Sequence, residues 1–456
     1  MFSGFCSQYH SIGISVRARA TISRPRSIRE SGGPDGVIRM NEAEEISSKQ
    51  KQISVSEFFE KNKHFLGFDT LPRAVITAVK ESVDNSLDAC EEARILPDIR
   101  VEIRRTKGDE LELITQDNGP GIPRDAIENV FGKFLLGSRF HAIRQTRGQQ
   151  GIGITGVVMY SQLTTGSKTH VVSKIKSDSS AVYVDLGVDT KKNKAIKSGE
   201  RRDIWIDDKT GNEISHGLRI RTQMKAKYQR GRKSVYQYLR MTSIVNPHAS
   251  ISLVVYDKEG SVVEEGSWIR TSNKLPRVVE EIKPHPHGIQ LGTLQRMLRE
   301  ANDRRMTSFL KHNFSGVSPR AAKEILAIAE VEEGRTPKRI KADEAKMIIA
   351  AFQTVKLLKP PMDCLSPIED LLIKKGLSKA IDSRFASTVT RNPSVSQGNP
   401  FQIEVGLVFG GDLTSDGPIE ILRFANRVPL MYQQGGCLLT KALEAVNWKS
   451  YGLEQP

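Results

Sequence analysis

Hydrophobic and polar positions become regular from about Ser54, where they begin to predict helices and strands. Residues 72–93 carry apolar side chains three or four positions apart, with Pro72 at the start, and this pattern predicts one long helix. Residues 99–105 and 110–117 alternate apolar and polar positions around a Lys-Gly-Asp turn, which predicts two strands. Further strands are predicted at 170–175, 181–189, 217–224 and 251–257. The mixture predicts an α+β fold.

The pattern changes near Pro284, and the residues that follow predict helices only. A Gly/Ser-rich break at 315–318 interrupts them, and another helix begins after Ser318 with Pro319 in its first turn. We expect a small all-helical unit in this part of the chain.

The C-terminal part returns to a mixed pattern. Residues 343–358 predict a helix, and a Pro-rich connection follows at 360–367. Residues 401–412 and 419–431 predict two strands that pair with each other, and 438–446 predict a further helix. Helices are thus expected to combine with a strand pair here.

Composition indicates a folded protein with a polyanionic partner. The length of 456 residues suggests about three domains of ~150 residues each. Hydrophobic residues make up 38% of the chain and charged residues 27%, which is typical of proteins with real cores. The formal net charge of +15 makes nucleic acid the first candidate partner, although a basic composition alone is common.

Other features of the composition exclude classes of protein. The four cysteines are scattered without a CxxC pair, so neither a zinc site nor a disulfide framework is indicated. No apolar run approaches the ~20 residues that span a bilayer, so no membrane segment is expected. We expect a reducing location, the cytoplasm or, for a eukaryotic source, the nucleus.

Residues 1–47 are expected to form an N-terminal extension without fixed structure. Residues 1–39 hold six arginines, no lysine and only two acidic residues. Such a stretch is compatible with a transit-like segment. The alternative is that translation begins at Met40.

The predicted helix 72–93 carries Glu81, Asn85 and Asp88. Steps of four and three residues leave these three side chains on one helix face. A polar stripe of this kind is more often a solvated face than a site, so its meaning depends on the motifs that follow.

The second motif, Asp-Asn-Gly-Pro-Gly-Ile-Pro at 117–123, follows a predicted strand. Asp117 stands at the strand end, and Gly119 and Gly121 allow a sharp turn with close backbone approach. On its own this motif is also compatible with an ordinary turn.

The third motif is a glycine loop at 146–156, which leads into a helix-like stretch. Its glycines at 148, 151 and 153 leave backbone N–H groups free to hold phosphates at a helix start. The spacing differs from that of the lysine-bearing P-loop, and the alternative is a flexible loop.

The three motifs in this order resemble the GHKL ATPases, which have the Bergerat fold and include DNA gyrase, MutL and histidine kinases. The resemblance implies that Glu81 is the general base, that Asn85 binds Mg²⁺, and that Asp117 accepts a hydrogen bond from the adenine amino group of ATP. Further implied nucleotide contacts are Asp88, Gly119, Gly121, Gly148, Gln149, Gln150, Gly151, Ile152, Gly153, Ile154 and Thr155.

Within that superfamily, residues 134–154 and the helical insert resemble topoisomerase VI B subunits. The resemblance runs from about Ser54 to the end and implies that Ser138 and Arg139 line the nucleotide site, and that Lys449 reaches the γ-phosphate. The implied domains are a GHKL ATPase domain at 48–275, a helix-two-turn-helix domain at 276–345 and a transducer with a βαβ core at 346–456.

Two features depart from this family's pattern. The third GHKL motif usually reads Gly-Thr, but Leu218 follows Gly217 here, so a nucleotide contact at this point stays open. The sequence also ends at Pro456, where the family usually continues into a segment that contacts its partner. We therefore expect either a fragment or weakened partner contact.

The resemblance also implies partners and an activity. The sequence shows no Asp-x-Asp pair and no tyrosine whose context marks it as a nucleophile, so cleavage of double-stranded DNA is expected in a separate A subunit within an A2B2 complex. ATP-driven self-association of B subunits would clamp DNA and gate strand passage, which relaxes supercoils and decatenates.

Two alternatives to this activity have different consequences. A non-hydrolysing GHKL-fold scaffold would not need Glu81 and an intact glycine loop. A histidine kinase would need a phospho-acceptor helix, which the sequence does not indicate. A basic cluster is compatible with DNA-phosphate contact or with a solvated loop. It comprises Arg219, Arg221, Lys225, Lys227, Arg230, Arg232 and Lys233, with Tyr228 among them.

Overall fold

A computed structural model describes residues 55–134, 143–148, 151–189, 194–413, 419–431 and 437–452. The helices are α1 (Val55–Lys61), α2 (Lys63–Leu66), α3 (Leu71–Glu92), α4 (Arg124–Gly132), α5 (Gly153–Thr165), α6 (Val235–Val245), α7 (Leu291–Glu300), α8 (Met306–Asn313), α9 (Pro319–Ile328), α10 (Ala342–Thr354), α11 (Asp370–Ala380) and α12 (Leu438–Glu444). Short 3-10 helices lie at Pro286–Gly288, Pro337–Arg339 and Trp448–Tyr451. None of the helices in these ranges has the length and apolar character needed to cross a membrane.

The strands complete a mixed architecture and confirm the predicted α+β class. They are β1 (Asp98–Arg105), β2 (Glu110–Asp117), β3 (Thr169–Lys174), β4 (Ala181–Asp189), β5 (Lys194–Asp203), β6 (Gly217–Lys225), β7 (Ser250–Tyr256), β8 (Val262–Trp268), β9 (Phe385–Thr390), β10 (Ser394–Ser396), β11 (Asn399–Phe401), β12 (Glu404–Phe409), β13 (Phe424–Ala425) and β14 (Val428–Pro429).

Within the described residues, eight strands form one sheet in the order β5-β4-β3-β6-β2-β1-β7-β8. Neighbouring strands are antiparallel except β1 and β7, which are parallel. Buried and half-buried positions alternate along β1 and β2, since successive side chains of a strand point to opposite faces. The main hydrophobic core joins the buried face to α3, α5 and α6.

Helix α3 occupies the range that the sequence predicted, to within one residue. Pro72 lies in its first turn, where the missing N–H leaves no helical hydrogen bond unmade. Val79, Val83 and Leu87 are buried in the main core. This fixes the rotation of α3 about its axis and therefore the direction in which its polar positions point.

The helical unit has a hydrophobic core of its own, formed by α7 to α10. Leu294, Phe309 and Ile325 are fully buried there, and so are Ile348 and Phe352 of α10. The domain boundary expected between residues 345 and 346 therefore cuts a helix whose buried side belongs to the preceding unit. We propose that the boundary lies after Val355, the last fully enclosed residue of this core.

The strand pairing predicted in the C-terminal part is wrong. β12 pairs with β9 in antiparallel register, while β13 pairs with β14 in a separate short hairpin. The sequence indicated no strand at β9, because serine and threonine interrupt its apolar positions, two of which, Phe385 and Val389, are exposed. The βαβ core implied by the resemblance remains a prediction.

Helix α11 joins the C-terminal part to the large-sheet unit. Ile373 and Leu377 pack with Met241, Ile244 and Val245 of α6 in one hydrophobic cluster. Gly376 faces the backbone of Ile244 so closely that a methyl group there would overlap the carbonyl oxygen. A movement of the C-terminal part is therefore expected to displace α6, because closely packed side chains transmit such shifts.

Candidate functional site

Asp117 is held in a buried, hydrogen-bonded environment at the end of β2. Its side chain receives a 2.6 Å hydrogen bond from the Ser86 hydroxyl of α3 and a 2.9 Å bond from the backbone N–H of Gly119. Burial raises the pKa of Asp117, and the hydrogen bonds from Ser86, Gly119 and Leu218 work against that rise. The carboxylate is thus preformed as a hydrogen-bond acceptor within the protein interior.

Two glycines let main-chain segments approach each other closely near Asp117. Gly121 has φ +73°, and a methyl group there would overlap the carbonyl of Lys174 on β3. Gly217 has φ +148°, and a methyl group there would overlap the carbonyl of Asp117. Leu218 contributes its backbone N–H to Asp117, so the departure from Gly-Thr at this motif leaves a backbone contact in place.

Glu81 lies where the glycine loop enters α5. A methyl group at Gly153, the first residue of α5, would overlap the Glu81 carboxylate. Glu81 is half-buried, with its side chain 27% exposed. The carboxylate therefore stands beside the first-turn N–H groups of α5, which have no helical partner and favour negative charge.

Lys80 is a site residue that the sequence did not single out. Its ammonium group lies 3.1 Å from Glu81 Oε1 and 3.2 Å from Asp84 Oδ2, and Asp84 also accepts a 2.9 Å hydrogen bond from Tyr238. Burial alone would lower the pKa of Lys80, but the carboxylates of Asp84 and Glu81 outweigh it and raise that pKa. The spacing of Lys80 and Asp84 is that of an ion pair on one helix face, but the sequence does not show that Asp84 becomes buried when α6 packs on α3.

The described part of the glycine loop fits a phosphate-binding role. Gly151 has φ +59°, and Ile152 caps α5 without a side-chain hydrogen bond. Thr155 is buried and donates 3.3 Å hydrogen bonds to the carbonyls of Val130 and Lys133, so its side chain serves the packing of α4. Ile154 is 9% exposed. Backbone N–H groups, not these side chains, are what the loop can offer a phosphate.

Asn85 and Asp88 occupy different surroundings. Asn85 is exposed, one turn beyond Glu81 on the same side of α3, and its amide oxygen is the kind of ligand that Mg²⁺ accepts. Among the described residues, no group of three or more His, Cys, Asp or Glu side chains could hold a metal ion. Asp88 is buried and accepts a 2.7 Å hydrogen bond from Arg147, so its observed partner is a protein side chain.

No described contact links Lys449 or Gly148 to Glu81 or Asp117. Lys449 is exposed on the short 3-10 helix Trp448–Tyr451 and makes no ion pair with any described residue. Ser138, Arg139, Gln149 and Gln150 lie outside the described residues. Gly148 is described, and a methyl group there would meet no neighbour.

The basic cluster at 219–233 is only partly a free surface. Arg219 pairs with Asp208 at 2.8 Å, and Tyr228 is 5% exposed with its hydroxyl bonded to Glu264. Lys227, Arg232 and Lys233 are exposed, so the cationic part of the cluster concentrates in the loop before α6.

Two family models match the chain. The model described as "Histidine kinase-, DNA gyrase B-, and HSP90-like ATPase" matches residues 70–190, which hold Glu81, Asp117 and the glycine loop. The model described as "Topoisomerase VI B subunit, transducer" matches residues 360–456.

Curated relatives that are named as B subunits of type 2 DNA topoisomerase 6 match most of the chain. The protein of Methanococcoides burtonii is 49% identical over 91% of this chain and 65% of its own length. That of Archaeoglobus fulgidus is 47% identical over 90% and 66%, and that of Pyrococcus horikoshii is 35% identical over 91% and 79%. The chain thus spans about two thirds of the length of the first two relatives. The chain belongs to the family of type 2 DNA topoisomerase 6 B subunits.

Proposed function

We propose that this chain binds and hydrolyses ATP as the B subunit of a type II DNA topoisomerase. The observation that carries the proposal is the position of Glu81, whose carboxylate abuts Gly153 at the point where the glycine loop enters α5. A carboxylate with this exposure can accept a proton from water while the adjoining N–H groups hold phosphate oxygens.

The nucleotide would lie between two ends of the site. Asp117 accepts a hydrogen bond from the adenine amino group, and hydrogen bonds from Ser86 and Gly119 hold its carboxylate in position. The phosphates meet the N–H groups of Gly151 and of the first turn of α5. Asn85 would contribute an oxygen ligand to Mg²⁺, which supplies charge neutralisation on the phosphate oxygens when bound.

Hydrolysis would begin with removal of a proton from the attacking water by Glu81. Lys80 stands between Glu81 and the buried Asp84 and restricts the directions that the Glu81 carboxylate can take. Lys449 is proposed to contact the γ-phosphate only after the transducer moves, since it is exposed and without an ion pair to the described residues.

We further propose that DNA passage needs an A2B2 complex, in which an A subunit cleaves DNA and ATP drives self-association of the B subunits. The net charge of +15 and the exposed Lys227, Arg232 and Lys233 support contact with DNA phosphates. Such contact is independent of base sequence, because phosphates carry no base information.

The test is ATP turnover by the chain alone, with duplex DNA, and with duplex DNA plus an A subunit from the same family. We expect Mg²⁺-dependent turnover that rises when DNA is present. Absence of turnover in all three mixtures, with ATP still bound, would favour the non-hydrolysing scaffold. Affinity for two unrelated duplexes should fall to the same extent with rising salt; a flat salt dependence would remove the phosphate-contact proposal.

A further inference from the structure

The residue that leads into the glycine loop, Arg147, points away from solvent. Its side chain is only 4% exposed. One Nη donates to Asp88 Oδ1 at 2.7 Å and to Glu91 Oε2 at 2.9 Å, and the other donates to Glu91 Oε1 and Asn246 Oδ1 at 2.6 Å each. These short bonds surround a planar guanidinium with acceptors that match its fork.

The acceptors come from two elements that are themselves fixed. Asp88 and Glu91 stand one turn apart on α3, and Asn246 follows α6. Asn246 donates its own amide to Thr242 at 2.8 Å, and Glu91 is held at 2.8 Å by His248. The receptor for Arg147 is therefore assembled from parts of the main sheet unit that the loop does not include.

Electrostatics support a tight arrangement. Burial alone would raise the pKa of Glu91, but the Arg147 guanidinium and the hydrogen bond from His248 hold that pKa below its usual range. A buried arginine is costly to remove from such partners, because the carboxylates are then left without compensation. Arg147 thus has one strongly preferred position.

The residue after Arg147 borders open space. A methyl group at Gly148 would meet no neighbouring atom within 4 Å. On the far side of the loop, the fixed element is α5, which begins at Gly153. The described chain therefore secures the entry to the loop through Arg147 and its exit through α5.

We infer that Arg147 is the positioning residue of the phosphate-binding glycine loop, acting through Asp88 and Glu91 without touching the nucleotide. This inference rests on the proposed function. It gives Asp88 a different role from the nucleotide contact that the sequence implied: Asp88 binds the arginine that holds the loop.

The experiment compares two ligands that reach different ends of the site. A non-hydrolysable ATP analogue extends to the loop, whereas adenosine stops at the Asp117 end. Binding is measured for the full chain, for Arg147→Met and for Arg144→Met, a matched control on the same segment whose side chain pairs with the exposed Glu92. Arg147→Met should weaken the analogue about tenfold or more, since a loop competent in a tenth of the molecules weakens apparent binding tenfold. The affinity of Arg147→Met for adenosine should stay within threefold of wild type. Both affinities of Arg144→Met should also stay within threefold of wild type.

A second variant separates positioning from stability. Arg147→Met leaves Glu91 buried without its cation, whereas the double variant Arg147→Met/Glu91→Gln removes that charge as well. We expect the double variant to regain part of the lost thermal stability, since Asp88 still lacks the arginine, yet keep the weakened analogue binding. Recovery of analogue affinity to within threefold of wild type would overturn the inference, and so would an equal loss of adenosine and analogue affinity.

Failure of the inference and failure of the proposed function give different results. If the wild-type chain binds the analogue and Arg147→Met binds it equally well, only the positioning role is overturned. If the wild-type chain binds neither ligand, the proposed function is overturned and the inference with it.

Discussion

Asp117 and Asn85, which we propose for opposite ends of one nucleotide, have opposite surroundings in the structure. Asp117 is 6% exposed and already accepts hydrogen bonds from Ser86 and Gly119. Asn85 is exposed on α3, one turn beyond Glu81. The proposed base end is therefore fixed by protein hydrogen bonds, and the proposed phosphate end is expected to need the ligand to complete it.

The difference follows from what each end must recognise. The adenine amino group would be recognised by one hydrogen-bond acceptor, whose direction matters. Because Asp117 is already buried and held in place, little free energy is needed to reorganise it on binding. Phosphates carry charge and water, and they can order N–H groups and a cation around themselves. Binding of the base is therefore expected to be less sensitive to loop position than binding of the phosphates.

The largest expected effect tests the phosphate end. Glu81→Gln keeps the size of the side chain and removes the proton acceptor, so turnover should fall by about 10²–10⁴-fold while ATP affinity stays near wild type. The control is Glu128→Gln, a half-exposed glutamate on α4 that pairs with Lys197. Steady-state turnover within threefold of wild type would remove Glu81 from the role of base.

The base end gives the next largest effect. Asp117→Asn places an amide donor opposite the adenine amino group, which is itself a donor. This should weaken the binding of adenosine by about 1–3 kcal/mol, roughly 5- to 150-fold in affinity. Asp125→Asn, at an exposed position on α4, serves as the control. Calorimetric titration with adenosine measures both. Unchanged affinity in Asp117→Asn would mean that Asp117 is only a turn residue.

Lys449 tests whether the transducer completes the phosphate end. Lys449→Ala should leave ATP binding largely intact and lower turnover by about tenfold or less, as expected for one exposed charged contact of about 1 kcal/mol. Lys441→Ala on α12, also exposed, is the control. Small-angle scattering should show a smaller difference between ATP-analogue and ADP states in Lys449→Ala; a full wild-type difference would assign the coupling to another group.

The smallest effect concerns acid stability, where His248 and Asp117 should respond in opposite directions. Burial lowers the pKa of His248, which contacts Glu91, so the stability that depends on neutral His248 is complete above its unfolded pKa of about 6.5. That stability is lost as pH falls below this value, by at most about 1.4 kcal/mol per pH unit. Burial raises the pKa of Asp117, so its contribution grows as pH falls through that raised pKa.

Thermal unfolding between pH 8 and 5 separates these contributions, with His248→Asn and Asp117→Asn as the two variants. His248→Asn should flatten the loss of stability below about pH 6.5. If wild type and His248→Asn lose stability in parallel, His248 is not the titrating group. If the free energy of unfolding falls more steeply with decreasing pH in Asp117→Asn than in wild type, then Asp117 stabilises the protein at low pH, as its raised pKa predicts.

The sequence by itself determined the elements that carry the site. The periodicity of 72–93 predicted α3 to within one residue, the alternation of 110–117 predicted β2 with Asp117 at its last position, and the glycines at 151 and 153 lie at the start of α5. These features depend on neighbours within a few positions, since helix phase, strand alternation and positive φ are local properties.

Only the tertiary structure decided which polar groups meet. Arg147 donates hydrogen bonds to Asp88 and Asn246, which are 59 and 99 residues away in the sequence. Strand β12 pairs with β9, whereas the sequence predicted that it pairs with the strand that follows β12. No periodicity encodes such partners, because a buried polar group is satisfied by whatever element packs beside it. The sequence therefore predicted α3 and the position of Asp117 on β2. That Asp88 binds Arg147 depends on the packing of α6 on α3, which the sequence does not show.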